Sequence, residues 1–124
     1  MRKMRLESGL AALAGLASVA FGAFAAHAMK DPKGVAWLHT ASQYAGVHAL
    51  AVLACSGLSA GGLKLVRGTG VAFLIGIALF SGSLVAMAFG APRWLGAVTP
   101  LGGLALMIGW ALLALAAFRR QRLG

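Results

Sequence analysis

Carboxylates are what this sequence has least of: in 124 residues only Glu7 and Asp31 are acidic. Neither lies inside a long apolar run, so paired-carboxylate acid–base chemistry and a carboxylate proton relay through a membrane are both excluded. Cysteine is nearly as scarce. Cys55 stands alone, which rules out an internal disulfide, and its apolar surroundings offer neither C-x-x-C nor Cys/His metal spacing. It follows Leu53 and Ala54 far from the N-terminus, so it is no lipoprotein site, and it reads as a small buried hydrophobe. No nucleotide-binding or catalytic motif stands out, and no stretch is long and polar enough to form a soluble domain.

What the sequence does have is apolar surface. With 60% hydrophobic residues, 10% charged residues and a mean hydropathy of +0.89, so short a chain cannot hide its apolar area in one small core. A lipid bilayer is the partner that covers the rest. The formal charge of +9 raises nucleic-acid binding, but the basic residues sit in small clusters at the ends of uncharged runs. That is the pattern of membrane topology, and no nucleic-acid partner is expected.

Charge-free runs separate Glu7 from Lys30, Lys33 from Lys64, Arg67 from Arg93, and Arg93 from Arg119. Each exceeds the roughly 20 residues a helix needs to cross the hydrocarbon. The expected spans are Ser8–Ala28, Val35–Leu58, Gly70–Ala88 and Leu95–Phe118. They must be helices, because an open chain in lipid satisfies its own backbone and nothing alternates like a barrel strand. The fold class is therefore all-α, a polytopic membrane protein with a four-transmembrane-helix bundle and no further domain. Arg2, Lys3, Arg5, Lys64, Arg67, Arg119, Arg120 and Arg122 fall on one side; the other holds Lys30, Lys33 and Arg93. This bias predicts cytoplasmic termini. Trp37 and Trp94 then both mark the outer interface.

The first span has a rival reading as a signal peptide, with Ala26-His27-Ala28 as an A-x-A cleavage site. The run from Leu10 to Ala26 is too long for a signal core, and at about 100° per residue Ser8, Ala11, Gly15, Ser18, Gly22 and Ala26 form a small-residue face suited to packing. Retention is the preferred reading. Ala72, Gly76, Ser83 and Gly90 share a face of the third span, as do Gly102, Ala105, Gly109 and Ala116 of the fourth, predicting a tight bundle. Pro92 suits the outer turn, and Pro100 the first turn of the last helix, with Thr99 able to satisfy a freed backbone group.

Within the second span, Thr40, Tyr44, His48 and Cys55 fall within about 80° of arc. His48 lies about 16 Å below Trp37 at 1.5 Å per residue, near the middle of the bilayer. Ser18 and Ser83 are placed at comparable depth, so a hydrogen-bonded intramembrane cluster of Tyr44, His48, Ser83 and Ser18 is predicted. Such a residue can mark a proton, ion or cofactor pathway. It can also be a neutral interhelical tether, and the tether is the reading preferred here. His27, His39, Gln43 and Arg93 are outer-boundary polar residues. His27 and His39 could bind metal or sense pH, yet their spacing matches no metal pattern, and no metal site is expected. His48 has no facing axial partner for a haem. Gln43 and His39 point about 120° or more away from His48, toward lipid or a partner.

Four segments carry a resemblance: Gly22–Lys30 (GAFAAHAMK), Thr40–Leu53 (TASQYAGVHALAVL), Phe80–Leu84 (FSGSL) and Thr99–Trp110 (TPLGGLALMIGW). They resemble the domain-of-unknown-function 423 family of YgdD-like small integral membrane proteins, which has mitochondrial transmembrane relatives. The family pattern has Gly where this chain has Ala25 and Gln where it has Ala45, so the second helix carries no strict chemical motif. The resemblance implies four membrane helices and a retained GAF-x-AH segment; it implies no activity.

These readings converge on a plasma-membrane protein without enzymatic activity and without a cofactor. It is expected to act as a structural or accessory component that forms a homo-oligomer or joins a larger membrane complex. The alternative is a small transporter or channel subunit using His48 and Tyr44. An enzyme comes third, since acid–base chemistry would rest on histidine and tyrosine alone.

Overall fold

The computed structural model describes residues 2–119; Arg120 and Arg122, counted above among the basic residues, lie outside them. The fold is all-α. Helix α1 spans Arg2–His27, α2 Pro32–Ala60, α3 Thr69–Ala88 and α4 Val98–Phe118, with a 3-10 turn over Arg93–Ala97 leading into α4. Three of the apolar stretches, α1, α3 and Arg93–Phe118, are long and apolar enough to cross a membrane. The longest helix, α2, carries Gln43, Tyr44 and His48 along its apolar run, and its most apolar stretch is less apolar than those of these three.

Local chemistry sets the boundaries. After α1 the amides of Ala28 and Met29 both donate to the Phe24 carbonyl at 2.9 Å, closing the helix. Asp31 then caps α2, its carboxylate accepting from the Gly34 amide at 3.2 Å, and Pro32 occupies the first turn, where no amide is needed. The end of α3 is a Schellman motif: Gly90 has φ +102°, its amide donates to Met87 and that of Ala91 to Ala86. Gly90 thus ends α3 rather than extending its small face.

Short connections make consecutive helices antiparallel. Contacts at Ser8 with Ser56 and Ser42 with Ser18 hold α1 along α2. Pairs Phe73 with Gly109, Gly76 with Leu106 and Phe80 with Gly102 hold α3 along α4. Helix α3 is central, packing against α1, α2 and α4.

Buried or half-buried positions recur every three or four residues: Ser8, Ala11, Gly15, Ser18, Gly22 and Ala25 on α1, and Gly34, Leu38, Ala41, Ala45, His48, Val52 and Cys55 on α2. This is a seven-residue period, the spacing associated with left-handed helix packing. It also corrects one position: Ala25 is buried and Ala26 exposed, because a 3.5-residue repeat drifts from the 3.6-residue face on which Ala26 was placed. The closest approach is between α3 and α4. A Cβ on Gly102 would collide with the Phe80 amide nitrogen and lie 2.8 Å from the Leu79 carbonyl carbon. Main chain meets main chain there, which only glycine permits.

Candidate functional site

His48 sits where three helices converge and is 6% exposed. The Trp110 indole of α4 donates to His48 Nε2 at 2.9 Å. An indole nitrogen can only donate, so Nε2 must carry the lone pair and Nδ1 the proton. Nδ1 then donates to the Tyr44 carbonyl, one turn earlier on α2, at 2.6 Å. Both ring nitrogens are therefore satisfied in the neutral form, as burial in a bilayer demands.

Aromatic rings flank this pair. Phe73 of α3 lies 5.9 Å from His48 and 5.1 Å from Trp110, edge-on to the indole. Tyr44 stacks on His48 at 5.8 Å and tilts over Phe80 at 4.5 Å. Such contacts contribute about 0.5–1.5 kcal/mol each beyond area burial. The arrangement depends on Gly109, next to Trp110, since a Cβ there would come 2.7 Å from Cδ1 of Phe73.

The expected four-residue cluster does not form. Ser83 donates to the Phe80 carbonyl at 3.0 Å and pairs with the Thr99 hydroxyl. Ser83 is ten residues beyond Phe73, which faces His48, so about 15 Å of helix separates the two levels. Ser18 is on another seam: its hydroxyl donates to Gly15 at 2.9 Å, and its carbonyl accepts from the Ser42 hydroxyl at 2.6 Å. Tyr44 is 43% exposed. It gives His48 a carbonyl and a ring face, while its hydroxyl has no hydrogen-bond partner among the described residues. It borders a surface cleft of about 310 Å³ with Gln43, Val47 and His48.

His27, His39, Gln43 and Arg93 are all exposed. Among the described residues, no three His, Cys, Asp or Glu side chains gather closely enough to hold a metal ion. Sequence reasoning missed Trp110, Phe73, Ser42 and Ser81, whose hydroxyl donates to the Ala41 carbonyl across the α2–α3 seam at 2.8 Å. A signal for Trp110 existed: it lies deep within the last apolar run, away from the interfacial belt, and an indole N–H at that depth needs an acceptor.

The profile of the family described as "Protein of unknown function (DUF423)" matches residues 21–103. That segment contains His48, Ser83 and Thr99; Ser18 and Trp110 lie beyond it. A "UPF0382 membrane protein" of Haemophilus influenzae is 41% identical over 117 residues, covering 92% of this chain and 94% of the relative. The "UPF0382 inner membrane protein YgdD" of Escherichia coli (strain K12) is 36% identical over 121 residues, covering 92% and 90%. The "UPF0382 membrane protein YwdK" of Bacillus subtilis is 39% identical over 83 residues, 65% of this chain and 68% of the relative. No solved structure matches the chain. The all-α fold, its apolar helices and the near full-length likeness to these proteins make one conclusion: the chain belongs to the DUF423 family, also termed UPF0382, and is a helical, multi-pass inner-membrane protein.

Proposed function

We propose that the protein is a non-enzymatic structural or accessory component of the inner membrane, inserted with both termini in the cytoplasm and working in association with itself or a larger membrane complex. The observation that carries this reading is the commitment of His48. Its two nitrogens are held by the Trp110 indole and the Tyr44 carbonyl, so the ring joins α2 to α4 instead of offering a free base. Passing a proton through it would require Nε2 to release the indole. The orientation is supported by Arg2, Lys3, Arg5, Lys64, Arg67 and Arg119, which lie in α1's first turn, the α2–α3 connection and the residue after α4, at one end of the bundle.

The test is affinity purification of the tagged full chain from native membranes in mild detergent. Recovery with a second copy or a stable companion is expected; a lone monomer without any crosslinked neighbour overturns the proposal. Flux into liposomes that is lost in His48→Ala and kept in His39→Ala would instead establish the transporter or channel alternative.

A further inference from the structure

The helices differ in what they present outward. On α1 the exposed side chains include Leu6, Leu13, Leu16 and Val19, and on α4 Leu104, Met107 and Leu115, large and apolar as lipid requires. Helix α2 instead exposes His39, Gln43, Tyr44, Val47 and Leu50. Gln43 and Leu50 are seven residues apart, and Val47 lies between them on the same face. This outward stripe thus follows the same period as the stripe that α2 buries within the bundle.

Gln43 lies about 9 Å below Trp37 at 1.5 Å per residue, too deep for its short side chain to reach the headgroups. Tyr44 is pinned by stacking on His48 and Phe80 and cannot snorkel. Neither side chain has a hydrogen-bond partner among the described residues. An amide and a phenol left open to hydrocarbon are costly, and polar groups in that setting drive helices together.

We propose that this face of α2 is the contact through which two copies of the chain associate, with Gln43 of each copy bonded to Gln43 or Tyr44 of the other. The chemistry selects a second copy. An amide both donates and accepts, so it is complementary to itself, as is a phenol. Two copies inserted the same way are related by an axis normal to the membrane, which sets the two α2 helices parallel and every residue opposite its counterpart at equal depth. Gln43 therefore meets Gln43 without any adjustment of register, and one polar pair in an otherwise apolar seam fixes that register. The cleft beside Gln43, Tyr44, Val47 and His48 lies on this same face.

This inference rests on the self-association proposed above, and its test separates the two. In a Cys55→Ala background, single cysteines replace Val47 on α2, Leu16 on α1 or Met107 on α4, and the full chain is oxidised in native membranes. Val47→Cys is expected to give a disulfide-linked dimer while Leu16→Cys and Met107→Cys do not. Adding Gln43→Leu should weaken dimerisation roughly three- to tenfold, the loss of about one interhelical hydrogen bond; Gln43→Asn should restore part of it. Crosslinking at Leu16 or Met107 but not Val47 overturns this interface and leaves the accessory reading intact. A monomer that carries a small molecule in native mass spectrometry, lost in Gln43→Leu, also overturns it in favour of a ligand. No crosslink together with no co-purifying protein overturns both.

Discussion

Replacing Gly102 by alanine adds one methyl group at the tightest point of the bundle, where its consequences can be worked out. The new Cβ would stand 2.8 Å from both the Leu79 carbonyl carbon and the Phe80 Cα. Carbon pairs are comfortable at about 3.5–4.0 Å, so α4 must retreat from α3 by about 1 Å. Backbone atoms of a helix cannot step aside as a flexible side chain can. Overpacking of this kind costs about 1–3 kcal/mol. The retreat also reaches Trp110, eight residues further along α4, whose bond to His48 is 2.9 Å and ceases to be a good one beyond about 3.2 Å. Gly103→Ala is the control, because a Cβ there would meet only the edge of the Phe80 ring at 3.7 Å, an ordinary contact. Unfolding of both variants by titration with a denaturing detergent measures the difference, and the indole resonance of Trp110 reports the hydrogen bond. Gly102→Ala should be the less stable and should shift that resonance; equal stabilities with an unmoved indole signal would refute the close-packed seam.

Trp110→Phe removes the donor to His48 and leaves Nε2 buried without a partner, so a loss of about 1–3 kcal/mol is expected, read by the same titration. In a double-mutant cycle with His48→Phe, the coupling between the two residues should be about 0.6–2 kcal/mol; zero coupling would mean the bond contributes nothing. Ser42→Ala should cost about 1 kcal/mol or less, since the Ser18 carbonyl remains within its helix, whereas Ser42→Leu should cost about 1–3 kcal/mol by crowding the narrow space over Gly22. The intact mass of the purified protein should include Met1–Ala28; a mass lacking them would show that α1 is cleaved as a signal peptide.

The helices and their mutual faces were legible because both follow from one-dimensional rules. Charge at Glu7, Lys30, Lys33, Lys64, Arg67 and Arg93 brackets the apolar runs, and glycine, alanine and serine recur at helical spacing on the faces that pack. The site was only half legible. His48 was visible as a polar residue in a deep position, but its partner depends on how far α3 and α4 slide past one another, which no periodicity in a single helix records. Ser83 looked level with His48 when depth was counted from the ends of each span; the observed register puts Phe73 at that level and Trp110 across from it. Tyr44 shares an arc with His48, yet the bundle closes over one and leaves the other at its edge. Glu7 shows the same limit. It reads as a boundary charge, whereas the structure tucks its carboxylate against Gly70 at the start of α3, 4.0 Å from Lys3.

The central position of α3 bears on how the molecule comes together. Helices α1 and α2 form one hairpin, α3 and α4 another, and residues 61–68 are their covalent link. Each hairpin has its own internal tethers, Ser8 with Ser56 and Ser42 with Ser18 in the first, Ser83 with Thr99 in the second. The bonds from Ser81 to Ala41 and from Trp110 to His48 serve a different purpose, because they alone among these tethers cross from one hairpin to the other. In lipid, where apolar faces gain little by meeting, each hairpin can enter the membrane as a finished unit and the two then dock. His48 is thus one of two assembly latches: losing it would leave the helices intact and the Ser81 bond as the remaining tether between the halves.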